Sequence, residues 1–307
     1  MKGIFYSTIT ILFIVPILFF AFVYMDAVKT ASEGSTSKAI ADRIVSFSKS
    51  IDSDLPRAAN IIVRRSIESN INYIATNGIA LDDAEARISE SMLNGTVFGS
   101  STILNNFTIT SWASVLRSKG AAYGFDTDID IISINITPLD SYHISVGVII
   151  FVNITDMSKT TNLYRIYNTN IPISIEGLVD PLYLLNTNGL IKRTIKAPGT
   201  TVYGATNVDA AVAGKYYMQS GNGPSFLDRL EGRLTGAYTA ENTIGLETFV
   251  YLPELQANGL PVKTDQNSID YLYFSSSSQP GQAVSGSAYG WLRLNSEQAA
   301  VYGVTLI

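Results

Sequence analysis

The chain of 307 residues predicts an α+β protein tied to a membrane: an N-terminal transmembrane helix, a long kinked amphipathic helix, then a mostly antiparallel sheet ectodomain with peripheral short helices. Three observations predict it. Residues 4–25 (IFYSTITILFIVPILFFAFVYM) carry no charge, apolar residues then recur at steps of three and four as far as Ile74, and from Phe125 the apolar period changes to two.

The uncharged run lies between Lys2 and Asp26. Its 22 residues give about 33 Å of helix against a hydrocarbon core of about 30 Å. A cleaved secretory signal has a shorter apolar stretch and a small-residue site after it, so a retained anchor is expected, with the bilayer as partner along residues 4–25. Pro16 interrupts the hydrogen-bond ladder within the span, which membrane helices tolerate. Lys2 faces Lys29 and Lys38 across the span, so charge alone does not orient the helix. Charged residues make up only 15% of the chain, against about 25% in ordinary soluble chains. That weakly charged Ser, Thr and Asn-rich surface favours a cytoplasmic N-terminus and an extracellular body.

Residues 26–37 read as a polar hinge around TASEGSTS. Beyond it Ile40, Ile44, Phe47, Ile51, Leu55, Ala58, Ile62, Ile67, Ile71 and Ile74 form a helical stripe ending at Asn77-Gly78. Pro56, preceded by the capping residues Asp52, Ser53 and Asp54, predicts a kink or two helices in series. Shorter helices are expected from Asp82 to Leu93, with an acidic first turn, and from Thr110 to Ala122, with Trp112, Val115 and Leu116 inward. Strands follow around Asp128–Ile131 and Tyr142–Ile154, then a hairpin about Asn168-Thr169-Asn170 and another over Leu182–Lys196 about Asn188-Gly189. The last hundred residues read as peripheral strands, short helices and loops packed on the sheet. The expected division is a cytoplasmic tail 1–3, membrane helix 4–25, hinge 26–37, helical stalk and subdomain 38–122, and β-rich extracellular domain 123–307.

Few residues carry recognisable chemistry. There are no cysteines, which excludes disulfides, thiolate metal sites and cysteine nucleophiles. The single histidine, His143, lies in a strand and leaves a Ser-His-Asp triad without support. Asp126, Asp128 and Asp130 resemble the opening of a calcium loop, but Ile131 stands where its glycine belongs and Thr137 where its bidentate glutamate belongs. They are the candidate calcium ligands, and alternation puts them on the exposed side of a strand; no other cofactor is expected. Gly221-Asn222-Gly223-Pro224 lacks the context of a phosphate loop. Tyr216-Tyr217 and Tyr271-Leu272-Tyr273 are candidates for lining a sugar or peptide groove, with packing as the default. Glycosylation sequons begin at Asn94, Asn106, Asn135 and Asn153, a number that chance supplies for 20 asparagines where Ser and Thr make up about a fifth of residues. The net charge of −5 argues against nucleic acid as a partner.

Lys2-Gly3 followed by an uncharged helix, a long amphipathic helix and a sheet resembles type IV pilins and their archaeal relatives. The resemblance implies cleavage after Gly3, Ile4 as the new terminus, and packing of the apolar helix among filament subunits. The family's glutamate five residues into the mature chain is replaced by Thr8, a departure seen in minor, tip-type subunits. The resulting expectation is a structural or adhesive surface protein, with homo-oligomer or filament subunits as partners and no enzymatic activity. The alternatives are a sensor-type ligand-binding ectodomain acting through a membrane partner, and a membrane-tethered hydrolase.

Overall fold

The computed structural model describes residues 2–102, 107–235 and 244–307, with side chains from residue 14 onward. The protein is α+β, with a long N-terminal helix and antiparallel sheets. Helix α1 (Lys2–Asn77) leads to α2 (Ala84–Asn94), the small hairpin β1 (Thr96–Val97) and β2 (Ser100–Ser101), and α3 (Ile109–Ala122). Three long strands follow: β3 (Phe125–Asp140), β4 (His143–Asp156) and β5 (Asn162–Ser174). The remainder is α4 (Pro181–Asn186), α5 (Ala205–Gly214), β6 (Tyr217–Ser220), α6 (Phe226–Leu230), β7 (Gly245–Thr248), α7 (Leu252–Ala257), α8 (Asp270–Tyr273), β8 (Gln282–Ala283), β9 (Arg293–Leu294) and α9 (Ser296–Tyr302).

Helix α1 is one element of 76 residues, about 114 Å long at 1.5 Å per residue. The stretch 26–37 is helical where the sequence suggests a hinge. Two of its hydroxyls bond back into the ladder: Thr30 Oγ1 donates to the Asp26 carbonyl at 2.9 Å and Thr36 Oγ1 to the Ser32 carbonyl at 2.9 Å. Nor does a second helix start at Asp52–Asp54; Asp52 instead meets Arg165 Nη2 at 3.3 Å. Pro56 removes the donor for the Asp52 carbonyl without ending the helix.

The chain divides into two units. One holds Met1–Asp54, Val115–Asp130 and Phe151–Ile166. Here Ile44, Phe47 and Ile51 of α1 are buried, and the Phe47 ring lies 5.9 Å from those of Tyr123 and Phe125. Gly120 is demanded by close approach: a Cβ there would stand 2.2 Å from Thr127 Oγ1. The buried stripe of α3 is Ile109, Ala113, Leu116 and Gly120, so Val115, one position off it, is exposed instead of inward.

The other unit holds Leu55–Ser114, Ile131–Ile150 and Tyr167–Ile307. Leu55, Ala59, Ile62, Val63, Ile67, Ile71 and Ile74 bury one face of α1, and Asn70 Nδ2 donates to Ser91 Oγ of α2 at 2.8 Å. Asp83 caps α2, accepting from the Ala86 amide at 2.9 Å. Glu90 then fixes the β1–β2 hairpin, accepting from Thr96 Oγ1 and the Gly99 amide, each at 2.7 Å.

The main sheet has the order β3-β4-β5. A connection of only two residues, Ser141 and Tyr142, makes the first pair antiparallel. Strand β4 alternates without a break, burying Ile144, Val146, Val148, Ile150, Val152 and Ile154. Asn168–Asn170 is not a turn but lies within edge strand β5, both asparagines exposed, and the strand also accommodates Pro172. The expected hairpin over Leu182–Lys196 is absent as well: Asp180 caps α4 with Pro181 at its first position, and Asn188 and Gly189, both at positive φ, close the helix end. The C-terminal segments build a core of their own from Leu182, Val208, Phe249, Ile269, Leu292 and Tyr302, among others.

Candidate functional site

Among the described residues the largest fully buried side chain is that of Arg229, carried on α6. That helix is set by a capping box, Ser225 Oγ accepting from the Asp228 amide at 3.2 Å and the Asp228 carboxylate from the Ser225 amide at 3.0 Å. Arg229 Nη1 donates to Asp180 Oδ2 at 2.7 Å and to Asp270 Oδ2 at 2.8 Å, and Nη2 donates to the Leu246 carbonyl. Both carboxylates sit where helices begin, so backbone donors share them: the Leu182 amide reaches Asp180 at 2.9 Å and the Tyr271 amide reaches Asp270 at 2.9 Å. Tyr217 adds a hydroxyl donor to Asp180 at 2.8 Å. Burial acts to lower the Arg229 pKa, but the two carboxylates outweigh it and raise it, so the guanidinium stays charged. Burial pushes the Asp270 carboxyl up against the opposing pull of Arg229.

Two further buried groups adjoin this core. Glu247 of β7 accepts from Ser220 Oγ at 2.7 Å and from the Tyr302 hydroxyl; burial raises its pKa above the ordinary carboxyl range despite those donors. Arg193 Nη1 donates to the Tyr183 hydroxyl at 2.7 Å and to the Phe249 carbonyl at 2.6 Å. Its Nη2 reaches Glu254 at 3.1 Å, and Lys215 Nζ meets the other oxygen of Glu254 at 2.6 Å. Burial pushes the Glu254 carboxyl up, but the Lys215 hydrogen bond and the charge of Arg193 prevail and hold it below its usual value.

These carboxylates are committed to partners inside the fold, so the network clamps α4, α6, β7 and α8 together. Open space lies beside it. A cleft of about 370 Å³ is lined by Tyr142, Thr201, Val202, Met218 and Tyr302 among others, and Tyr142, whose hydroxyl donates to the Tyr217 carbonyl at 2.6 Å, has its pKa pushed up to about 12, chiefly by burial. A second, of about 320 Å³, lies along Ile71, Asn72 and Ala75 of α1 with Leu178, Val179 and Leu184. A third, of about 180 Å³, is lined by Lys192, Arg193, Thr194, Lys196, Gly214, Lys215 and Glu254.

The residues singled out by sequence fall elsewhere. Asp126, Asp128 and Asp130 stand on the exposed face of β3, Asp128 lying 3.5 Å from Arg117. Among the described residues no three His, Asp or Glu side chains gather as a metal site. Asn94 and Asn135 are exposed and Asn153 half-buried; Asn106 lies outside the described residues. Gly3 and Ile4 belong to the first turn of α1. His143 meets Asp140 at 2.9 Å on the surface. Tyr217, Tyr271 and Tyr273 are buried, with Tyr216 half-buried. Sequence reasoning missed the ionic core. Its one legible signal is the Asp-Arg pair inside the apolar run FLDRL, charges that the flanking residues carry inward. Comparison with family models, curated proteins and solved structures returned no match to this chain.

Proposed function

We propose that the chain is a single-pass membrane protein that displays its folded body outside the cell as a structural or adhesive surface subunit, its N-terminus cytoplasmic. The observation that carries this reading is the apolar start of α1. From Ile14 to Met25 every residue is exposed, including Ile17, Leu18, Phe19, Phe20 and Phe22, and the most apolar 18-residue window of the described helix has a mean hydropathy of 1.7 with none of it buried. At about 25 cal/mol per Å² of apolar surface, such a face calls for lipid or for the matching helix of another copy. A contiguous patch of this kind marks a membrane or association surface. The low charge of the chain supports the outward placement of the body. The narrower form of the proposal is a pilin-like subunit cut after Gly3, in which these faces pack together along a filament.

The test is fractionation of the full-length chain expressed in cells. It is expected to sediment with membranes, to resist extraction by alkaline carbonate, and to be degraded by protease added to intact cells. Ile14→Asp with Val15→Asp, at the middle of residues 4–25 and each adding about 2.5–3.5 kcal/mol at the centre of a span, is expected to release it. Recovery of the unaltered chain in the soluble fraction overturns the reading. The mass of the mature N-terminus separates its two forms, since only the pilin-like one begins at Ile4.

A further inference from the structure

The smallest of the three clefts is the only one of them dominated by charge. It arises from local geometry. After α4 ends at the Asn188-Gly189 turn, residues 191–196 run extended, with Ile191, Arg193 and Ile195 buried and Lys192, Thr194 and Lys196 turned the other way. Lys215, in the left-handed conformation (φ 55°) at the end of α5, brings a fourth cation to the same cleft. Against Lys192, Arg193, Lys196 and Lys215 stands a single carboxylate, Glu254.

That carboxylate is already taken. Arg193 and Lys215 bind one oxygen each, at 3.1 and 2.6 Å. The Lys192 and Lys196 ammonium groups have no hydrogen bond or ion pair among the described residues, and both residues are exposed. Arg193, which is 3% exposed, also keeps its Nε–H buried without an acceptor, although buried donors are nearly always satisfied. A concentration of unpaired cations is unexpected in a chain of net charge −5. Like charges held around one concavity repel one another and raise the local concentration of anions.

We propose that this cleft binds a tetrahedral oxyanion, a sulfate or phosphate group, with Lys192 and Lys196 as its principal ligands and Lys215 as the third. Water in the liquid takes about 30 Å³ per molecule, so a cleft of about 180 Å³ admits one such group with part of its hydration shell. The rest of a larger ligand extends through the mouth. Lysine ammonium groups on flexible stems bind phosphate-like anions as point charges that can approach from several sides, and the one arginine lining the cleft is already bonded to Glu254, Tyr183 and Phe249. Thr194, on the same side as the two lysines, supplies a hydroxyl donor. The inference concerns the folded body and stands whether or not α1 enters a membrane.

The experiment is calorimetric titration of the full-length chain in detergent with inorganic sulfate, and separately with inorganic phosphate, at constant ionic strength set by chloride. Saturable binding is expected for at least one of the two. Lys192→Glu with Lys196→Glu is expected to weaken it at least about tenfold, equivalent to 1.4 kcal/mol, and Lys49→Glu, on the exposed face of α1, to leave it unchanged. Because both cleft lysines are exposed, the double variant is expected to melt as the parent does in chloride alone, which separates lost binding from lost folding. A sulfated polysaccharide, dextran sulfate, is titrated in parallel. Tighter binding of the polymer that the double variant abolishes supports the proposal and assigns the group to a glycan, while preference for inorganic phosphate supports it and assigns the group to a phosphate. No saturable binding of any probe, or binding that the double variant retains in full, overturns it.

Discussion

Arg229 is the residue on which the C-terminal core depends most heavily, because two buried carboxylates rely on one cation. Arg229→Met is expected to lower unfolding stability by about 3–5 kcal/mol, read as a fall in the denaturant midpoint, since it leaves the buried Asp180 and Asp270 side chains without their shared cation. Glu247 presents the opposite case. Its folded pKa is raised by burial, so the fold holds the proton more tightly than the unfolded chain does. The stability it contributes is complete below the ordinary glutamate value of about 4.3 and is lost as pH rises through the folded value. Glu247→Gln copies the protonated form, and its melting temperature is expected to hold at pH 8 relative to pH 5 better than that of the parent. At the β4–β5 turn the sign reverses again. Asp156 accepts from Ser158 Oγ and from the Thr160 and Thr161 amides at 2.8 Å each, which hold its carboxyl down at about 2. Its contribution is present above the unfolded value of about 3.9 and is lost as pH falls toward 2. Amides 158–161 are therefore expected to lose hydrogen-exchange protection over that window, and in Asp156→Asn they are expected to be less protected at neutral pH and insensitive to acid.

Single elements show which signals in the sequence carried information. The stripe of α1 was legible because one face of it is buried at steps of three and four, from Ile44 through Phe47, Ile51 and Leu55 to Ile74. The alternation of β4 was legible for the same reason at period two. Asn188-Gly189 misled because left-handed residues close helices as readily as they join strands, and the Asp180-Pro181 pair just before it was the better guide. The stretch 26–37 misled because Ser and Thr read as breakers, whereas Thr30 and Thr36 bond into the ladder. Gly34 offers a direct check on that element, since a Cβ there meets nothing within 4 Å. Gly34→Ala is expected to stabilise a helical 26–37 by about 0.5–1 kcal/mol and to slow exchange of its amides. A flexible hinge would show no such slowing.

For the molecule as a whole, the α+β class and the long apolar N-terminal helix followed from patterns of about ten residues or more, which a single sequence displays. The ionic core and the cationic cleft did not, because Asp180, Arg193, Lys215, Arg229, Glu254 and Asp270 come together only when distant segments pack, and no local spacing announces that. The continuity of α1 has one more consequence. A helix turns about 100° per residue, so an unbroken 26–37 fixes the azimuth at which the Ile44–Phe47–Ile51 face stands relative to the apolar segment before it. Inserting one residue there would swing that face by about 100° and advance it by only 1.5 Å, whereas inserting seven restores the phase to within about 20°. Function that depends on the angle between that face and the apolar segment would therefore fail and recover with the helical repeat, while function that depends only on reach would not notice.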